Sequence, residues 1–316
     1  MIVLSPEFLF KFTKYSVAIV YSWPHYKNYP RNEKIKLNIK WLILWLISIS
    51  ASLSTCYSVF IKANIDRLMS LYYIPATGIC VQSPIKMIIF KIQSKKFKYF
   101  FEEMENYVYE AQSEEKSIFN RYANLYGVVH IGYTILVYLA SIVTVLVSIV
   151  SHQALPSEIE YPFNVDKHPI LDIIYFLQLI QLCQCSSSLA VECQMAVLLW
   201  YIAARFEILG SAMKSVCSPD KFDNWIENHQ ELLCMYFYSY TEEIIDLFKY
   251  IYLLTVISII IPIIFGGIMI QLDASLALKI QIMGYVGASI AQLFIIAWPS
   301  EILSRAVRLK KLNINT

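Results

Sequence analysis

Six long apolar stretches with almost no charge limit what this chain can fold into. The hydrocarbon core of a bilayer is about 30 Å thick, and about 20 apolar helical residues are needed to cross it. Hydrophobic residues make up 57% of the sequence and charged residues only 16%, which is far more apolar surface than a soluble domain carries. We therefore predict an all-α, polytopic membrane helical bundle with six transmembrane helices. The predicted spans are 41–61, 68–90, 122–150, 171–202, 250–272 and 280–300.

The distribution of Lys and Arg predicts the direction of these spans. Of the 26 Lys and Arg residues, 22 fall in segments 1–40, 86–121, 205–249 and 301–316. These segments share one side of the membrane if the spans alternate, and basic residues are enriched on the cytoplasmic side. We therefore predict a cytoplasmic N-terminal segment (1–40) and a short basic tail (301–316) that also lies in the cytoplasm. The whole chain, 1–316, forms a single transmembrane domain.

The N-terminal segment contains an apolar stretch of its own. Residues Phe8–Trp23 are apolar but are interrupted by Lys11 and Lys14. A stretch of this kind favours a helix that lies at the membrane surface over a span. The net charge of +2 is too small to indicate a nucleic-acid partner, so the lipid membrane is the partner that the composition predicts.

The segments between the spans also carry helical patterns. In "KFKYFFEEMENYVYEAQ" the apolar residues recur at helical spacing. They are Phe97, Phe100, Phe101, Met104 and Val108. The fourth span can continue as a helix to about residue 215, and "NWIENHQELLCMYFYSYTEEIIDLFKYIY" predicts a helix that leads into the fifth span. Several helices should therefore project into the cytoplasm and pack there.

The sequence offers little that would support catalysis. It contains no G-x-x-x-x-G-K loop, no H-E-x-x-H pair and no G-x-S-x-G elbow. Cys183, Cys185 and Cys193 lie close together, but no C-x-x-C pair or His partner completes a zinc pattern. We therefore predict no enzyme activity, no metal site and no cofactor, and we expect the cysteines to pack as small apolar residues.

Glu192 is the one acidic residue well inside an apolar run, and two interpretations are open. It lies 21 residues after Leu171, which is roughly 31 Å along a helix. This distance could place its carboxylate near the inner boundary, where it reaches water. Alternatively, Glu192 is buried and serves in gating or in pairing, because acidic groups at membrane depth are costly and often functional.

Two further features concern helix packing. Pro262 lies within the fifth span, where it either kinks the helix or is absorbed by neighbouring helices. The sixth span has small residues on one face, which favours close helix packing, with a gate hinge as the alternative. These residues are Gly284, Gly287, Ala288 and Ala291.

The outer halves of the spans supply aromatic and mildly polar side chains with almost no charge. Such groups could line a pocket for a small, uncharged, mostly apolar molecule, or form the aromatic belt of a membrane protein. The candidate ligand-binding residues are Tyr72, Tyr73, Tyr138, Ser141, Thr144, Tyr175, Gln178, Met283 and Tyr285.

Four stretches of the sequence resemble the insect odorant receptor family. "LPSEIEYPFNVDKHPI" resembles its outer loop before span four, and "ENHQELLCMYFYSYTEEIIDLF" its cytoplasmic helix with a His, here His229. "AVECQMAVLLWYIAARFEIL" resembles span four, where Glu192 holds the acidic position and the helix ends in Arg205, Phe206 and Leu209. "AQLFIIAWPSEIL" resembles the end of span six. The matching residues there are Gln292, Leu293, Phe294, Trp298, Pro299 and Glu301.

The resemblance implies a receptor subunit that binds small volatile odorants in an outer pocket. It also implies a hetero-oligomer with an odorant receptor co-receptor, expected to be a tetramer, which forms a ligand-gated cation channel. The expected location is the plasma membrane of olfactory sensory neurons. The family has seven spans, and the pore-lining seventh has no counterpart after Glu301, so we expect a truncated form that does not gate current by itself.

Two alternatives to an odorant receptor stay open at this point. A gustatory receptor shares the fold, and its signature lies in the last span of that family. An unrelated membrane transporter would often show internal repeats, and spans one to three show no convincing similarity to spans four to six.

Overall fold

A computed structural model describes residues 4–23, 30–65, 67–157, 159–216, 223–271 and 276–314. Within these ranges the chain is almost entirely helical and has no strand. The helices are α1 (Pro6–Ser16), a 3-10 helix (Ala18–Val20), α2 (Arg31–Ile65), α3 (Arg67–Ile92), α4 (Ser94–Glu110), α5 (Ser113–Val150), α6 (Ile170–Val216), α7 (Asp223–Gln271) and α8 (Leu276–Ile314).

Six of these helices are long and apolar enough to cross a membrane, namely α2, α3, α5, α6, α7 and α8. The predicted all-α bundle with six spans is therefore confirmed, and the chain is a multi-pass membrane protein. Each predicted span lies within one of these helices, except that residue 272 lies outside the described residues. The helices run on beyond the apolar stretches because their flanking residues, although more polar, continue the same backbone hydrogen bonding.

Helix α6 lies at the centre of the bundle and contacts each of the other seven α-helices. Its side chains from Ala190 to Ala204 are buried on every face of the helix, and Trp200 and Tyr201 are among the largest buried groups. A helix that is apolar all round belongs in the interior. As predicted, α6 continues past Arg205, and it ends at Val216.

The predicted helix between the second and third spans is confirmed as α4. The five apolar residues singled out from its sequence are all buried. Phe97 packs against Phe90 and Phe248, with ring centroids 4.5 Å and 5.5 Å apart. Helical spacing places these residues on one face, which anchors α4 against α3 and α7.

The N-terminal helix packs against the bundle, a contact that the sequence did not predict. Helix α1 and the 3-10 turn pack against α5 and α6, and Leu9, Val17 and Val20 are fully buried. The ring of Phe10 stacks on that of Trp200 at 6.0 Å. Lys11 and Lys14 lie on the exposed face of α1, so its apolar face packs against the bundle, and the position of this helix at the membrane surface stays a prediction.

Candidate functional site

Four helices converge on a buried carboxylate at Glu192. Lys86 of α3 donates from Nζ to Oε1 of Glu192 at 2.6 Å, and both side chains are 0% exposed. Thr255 of α7 donates to the same oxygen at 2.9 Å, and Gln292 of α8 at 3.0 Å. We call these four residues the Glu192 cluster. Lys86 also donates to the carbonyl oxygen of Ser188 at 2.9 Å.

This geometry decides between the two interpretations of Glu192. Its carboxylate does not reach water at an inner boundary, so that interpretation is wrong. The buried, paired role is confirmed, because the Lys86 ammonium neutralises it at hydrogen-bond distance. The sequence carried a signal for this partner, since Lys86 is the one charged residue in the second predicted span. Opposite charges at membrane depth often pair, but sequence alone did not show that α3 and α6 are neighbours.

A polar stripe on α6 leads from the loop between α5 and α6 to this cluster. Its members recur at spacings of three and four residues, which places them on one face of the helix. They are Gln178, Gln181, Cys185, Ser188 and Glu192. At the end of the stripe nearest this loop, Gln178 accepts from the amide of Ser157 at 2.9 Å and donates to the hydroxyl of Tyr161 at 3.1 Å. The stripe therefore ties the loop between α5 and α6 to the bundle.

The predicted ligand-binding residues of α5 lie against other helices. The Tyr138 hydroxyl donates to the carbonyl of Ser16 at 2.5 Å, which joins α5 to the end of α1. The Ser141 hydroxyl lies 2.7 Å from that of Ser186 on α6. Thr144 bonds within its own helix, to the carbonyl of Ala140 at 3.0 Å.

The other predicted ligand-binding residues are spread over three helices. Tyr73 on α3, Tyr175 on α6 and Tyr285 on α8 are partly buried, and Gln178 is buried in its contact with the loop between α5 and α6. Met283 is 61% exposed on the outside of the bundle. The side chain of Tyr72 lies outside the described part of the chain. The structure therefore brings only some of the nine residues into the interior.

Two surface cavities of the described part of the chain are considered as ligand sites. One, of about 280 Å³, is lined by Ile19, Leu44, Leu179, Ile180 and Cys183 and is entirely apolar. The other, of about 220 Å³, lies in the loop before α6 and is lined by Gln153, Ala154, Leu155, Val165, Asp166 and Leu171. Neither is lined by a predicted ligand-binding residue. Among the described side chains, no three His, Cys, Asp or Glu groups are placed to hold a metal ion.

A second polar cluster joins α4, α6 and α7. Glu103 accepts from the Tyr201 hydroxyl at 2.9 Å, from Arg205 at 3.1 Å and from Tyr240. The Arg205 guanidinium lies 3.5 Å from the ring centre of Tyr107, a cation–π contact. Burial, with a further contribution from the hydrogen bond of its hydroxyl to Glu115, raises the pKa of Tyr107 to about 12. Its hydroxyl therefore stays protonated at neutral pH.

The small-residue face of α8 contributes less to helix packing than expected. A Cβ atom added at Gly284 or Gly287 would meet nothing within 4 Å. Ala291 packs against a cluster that includes Tyr133 and Cys193. The packing prediction therefore holds for Ala291 but not for the two glycines. Close contact occurs instead at Gly266 of α7, where an added Cβ would lie 2.4 Å from Cγ2 of Val286.

The helical architecture and the buried cluster define a multi-pass membrane protein whose central helix is surrounded by the others. Residues 68–307 match the model of the 7tm Odorant receptor family. This range is more than half of the chain, so the chain belongs to that family. It is therefore an odorant receptor and not an enzyme, and the match favours this family over a transporter or a gustatory receptor.

Solved structures of an insect olfactory receptor share the fold. One is the insect olfactory receptor OR5 from Machilis hrabei, with a TM-score of 0.73 and 17% identity, which covers 98% of this chain and 82% of that chain. The other is the same receptor in complex with eugenol, with a TM-score of 0.76 and 15% identity, which covers 98% of this chain and 90% of that chain. The comparison with curated proteins gave no match.

Proposed function

We propose that this chain is an odorant receptor subunit that binds a small, volatile, uncharged and mostly apolar molecule. The binding region lies between the outer halves of α3, α5, α6 and α8. Together with a co-receptor, the subunit forms a ligand-gated cation channel in the plasma membrane of olfactory sensory neurons. The observation that carries this proposal is the family match over residues 68–307.

The chemistry of the outer halves supports a neutral ligand. The groups that face the interior there are aromatic rings, hydroxyls and the Gln178 amide. A charged ligand would lose several kcal/mol of hydration without a counter-charge, and the buried charges Lys86 and Glu192 already neutralise each other. A similar fold holds eugenol, which is a neutral, mostly apolar phenol.

Ligand binding can be tested without relying on current. Ligands that bind only the folded state raise its thermal stability, so a panel of neutral volatiles and permanently charged analogues is screened by thermal unfolding of the purified chain. Tyr175→Ala should weaken the response to the best neutral ligand by about tenfold, the effect of roughly 1.4 kcal/mol. Phe176→Ala is the matched control, because Phe176 is the next residue and is 63% exposed. A preference for charged analogues would contradict the proposal.

The channel role needs a separate measurement. The chain is co-expressed with the co-receptor, once as residues 1–316 and once extended by a seventh span from a family member. Odour-evoked current from the extended version, above that of the co-receptor alone, supports the channel role. If the extended version binds odorant but adds no current, the co-receptor assembly is wrong while ligand binding stands.

A further inference from the structure

Three exposed lysines from three helices lie at the predicted cytoplasmic end of the bundle. They are Lys34 of α2, Lys91 of α3 and Lys95 of α4, and we call them the basic patch. The stretches that carry them contain no acid, because residues 34–65 and 67–101 include neither Asp nor Glu. Positive charge therefore accumulates where α2, α3 and α4 meet.

A direct contact joins α2 and α3 at this patch. Nζ of Lys91 donates to Oδ1 of Asn38 at 2.6 Å and lies 5.2 Å from the ring centre of Trp41. Both partners are neutral, so they hold the ammonium in place without cancelling its charge. Deeper in the bundle, Trp45 donates to the carbonyl of Pro84 at 3.3 Å, which shows that the two helices run in opposite directions.

Lys34 lies on the same face of α2 as these contacts. It precedes Asn38 by four residues and Trp41 by seven, and side chains at these spacings share one face of a helix. Glu33, the neighbouring acid, is one residue out of this spacing, which turns it about 100° away from Lys34. The face of α2 that contacts α3 therefore continues into the patch with a positive charge.

Lys95 extends the same side of α3 into α4. Helical hydrogen bonding continues through the junction, since the amide of Gln93 donates to the carbonyl of Ile89 at 3.0 Å and that of Phe97 to the carbonyl of Gln93 at 3.1 Å. Lys95 is four residues after Lys91, so the two ammonium groups lie on one face, one turn apart.

The patch lies at the level where the hydrocarbon core ends. Trp41 opens the apolar span 41–61 and stacks on Trp45 with ring centroids 5.8 Å apart, and tryptophan is enriched at the headgroup level of membrane proteins. Lys34 and Lys95 lie one to two helical turns beyond this level, which is roughly 6–10 Å. The headgroup region on each side of a bilayer is about 5–8 Å thick, so both ammonium groups are within reach of lipid headgroups.

Charge and position identify the ligand. Lysine binds phosphate as a point charge, and basic clusters beside the cytoplasmic ends of spans attract anionic lipids. Three ammonium groups exceed the single net charge of an ordinary acidic phospholipid, whereas each phosphomonoester carries about 1.5–2 negative charges at neutral pH. We propose that the basic patch binds the headgroup of a polyphosphorylated inositol lipid, whose phosphates link α2 to the junction of α3 and α4.

Two double variants with the same loss of charge test this site. Native mass spectrometry of the purified full chain, titrated with phosphatidylinositol 4,5-bisphosphate, measures the Kd of the bound lipid. Lys34→Gln with Lys95→Gln should raise this Kd by about tenfold or more, because each lysine near an anionic headgroup contributes to binding. Lys36→Gln with Lys40→Gln removes two exposed charges from the other side of α2 and should raise it by less than about threefold, because more distant charges are screened.

Three outcomes would overturn the proposal. An equal loss of binding in the two double variants would mean that the lipid responds to the overall charge and not to the patch. Equal affinity for phosphatidylserine, which has one net negative charge, would mean that the patch does not select a polyphosphate. Equal affinity for soluble inositol 1,4,5-trisphosphate would mean that the ligand is a soluble phosphate and not a lipid. The measurement depends neither on the proposed receptor function nor on the orientation of the bundle.

Discussion

At the scale of single residues, the ion pair between Lys86 and Glu192 is the most consequential feature. Both groups are fully buried, and removing two charges from water costs several kcal/mol each. Their attraction and the donors Thr255 and Gln292 offset that cost. Glu192 thereby links α6 to three other helices, so the loss of one charge should affect the whole bundle.

We expect Glu192→Gln to lower the free energy of unfolding by about 3–5 kcal/mol, because it leaves the Lys86 ammonium buried without a counter-charge. Adding Lys86→Met should restore much of this loss, since the double variant contains no buried charge. Thermal unfolding in detergent, followed by size-exclusion chromatography, measures both. The control is Glu160→Gln, which breaks the partly exposed pair with Lys62 and should cost about 0–1 kcal/mol. If the double variant loses as much unfolding free energy as Glu192→Gln and Lys86→Met lose together when measured singly, the two charges are not coupled.

At the scale of helices, α7 and α8 are in close contact at Gly266. An added Cβ there would lie 2.4 Å from a methyl carbon of Val286, and real Cβ atoms essentially never approach so closely. At the neighbouring Gly267 an added Cβ would meet nothing within 4 Å. Pro262, one turn earlier, is buried and does not end the helix, so α7 continues through it as neighbouring helices absorb it.

Substitution by Ala should change the stability of the chain in different directions at the two glycines. Gly266→Ala forces α8 away from α7 and should destabilise the chain by about 1–3 kcal/mol, the cost of overpacking. Gly267→Ala removes a flexible residue from a helix without a clash and should be neutral or stabilise by up to about 1 kcal/mol. Thermal unfolding of the two variants side by side measures the difference. Equal Tm values would mean that α7 and α8 do not pack at Gly266 as described.

At the scale of the whole molecule, local periodicity explains what the sequence could predict. It located the six spans and the buried face of α4 because apolar length and helical spacing act within one helix. It did not locate α1 inside the bundle, nor the partner of Glu192, because both depend on which helices become neighbours.

The orientation of the bundle is a prediction that membrane topology experiments can test. Apart from Lys86, which lies inside the bundle, the segments 1–40, 87–121, 205–249 and 301–316 carry 21 of the 26 basic residues, and basic segments remain on the cytoplasmic side during insertion. With an even number of spans both ends should lie inside. Epitope tags at residue 1 and after Thr316 should therefore bind antibody only after the cells are permeabilised.

A third tag in the loop between α5 and α6 is the control, because this loop lies across one span from α4 and carries a single basic residue, Lys167. It should be detected on intact cells that express the protein at their surface. Detection of the residue 1 tag on those intact cells would reverse the orientation. In the reversed orientation, the Gln178 end of the polar stripe on α6 would lie toward the cytoplasm. The proposed ligand region could then no longer be reached from outside the neuron.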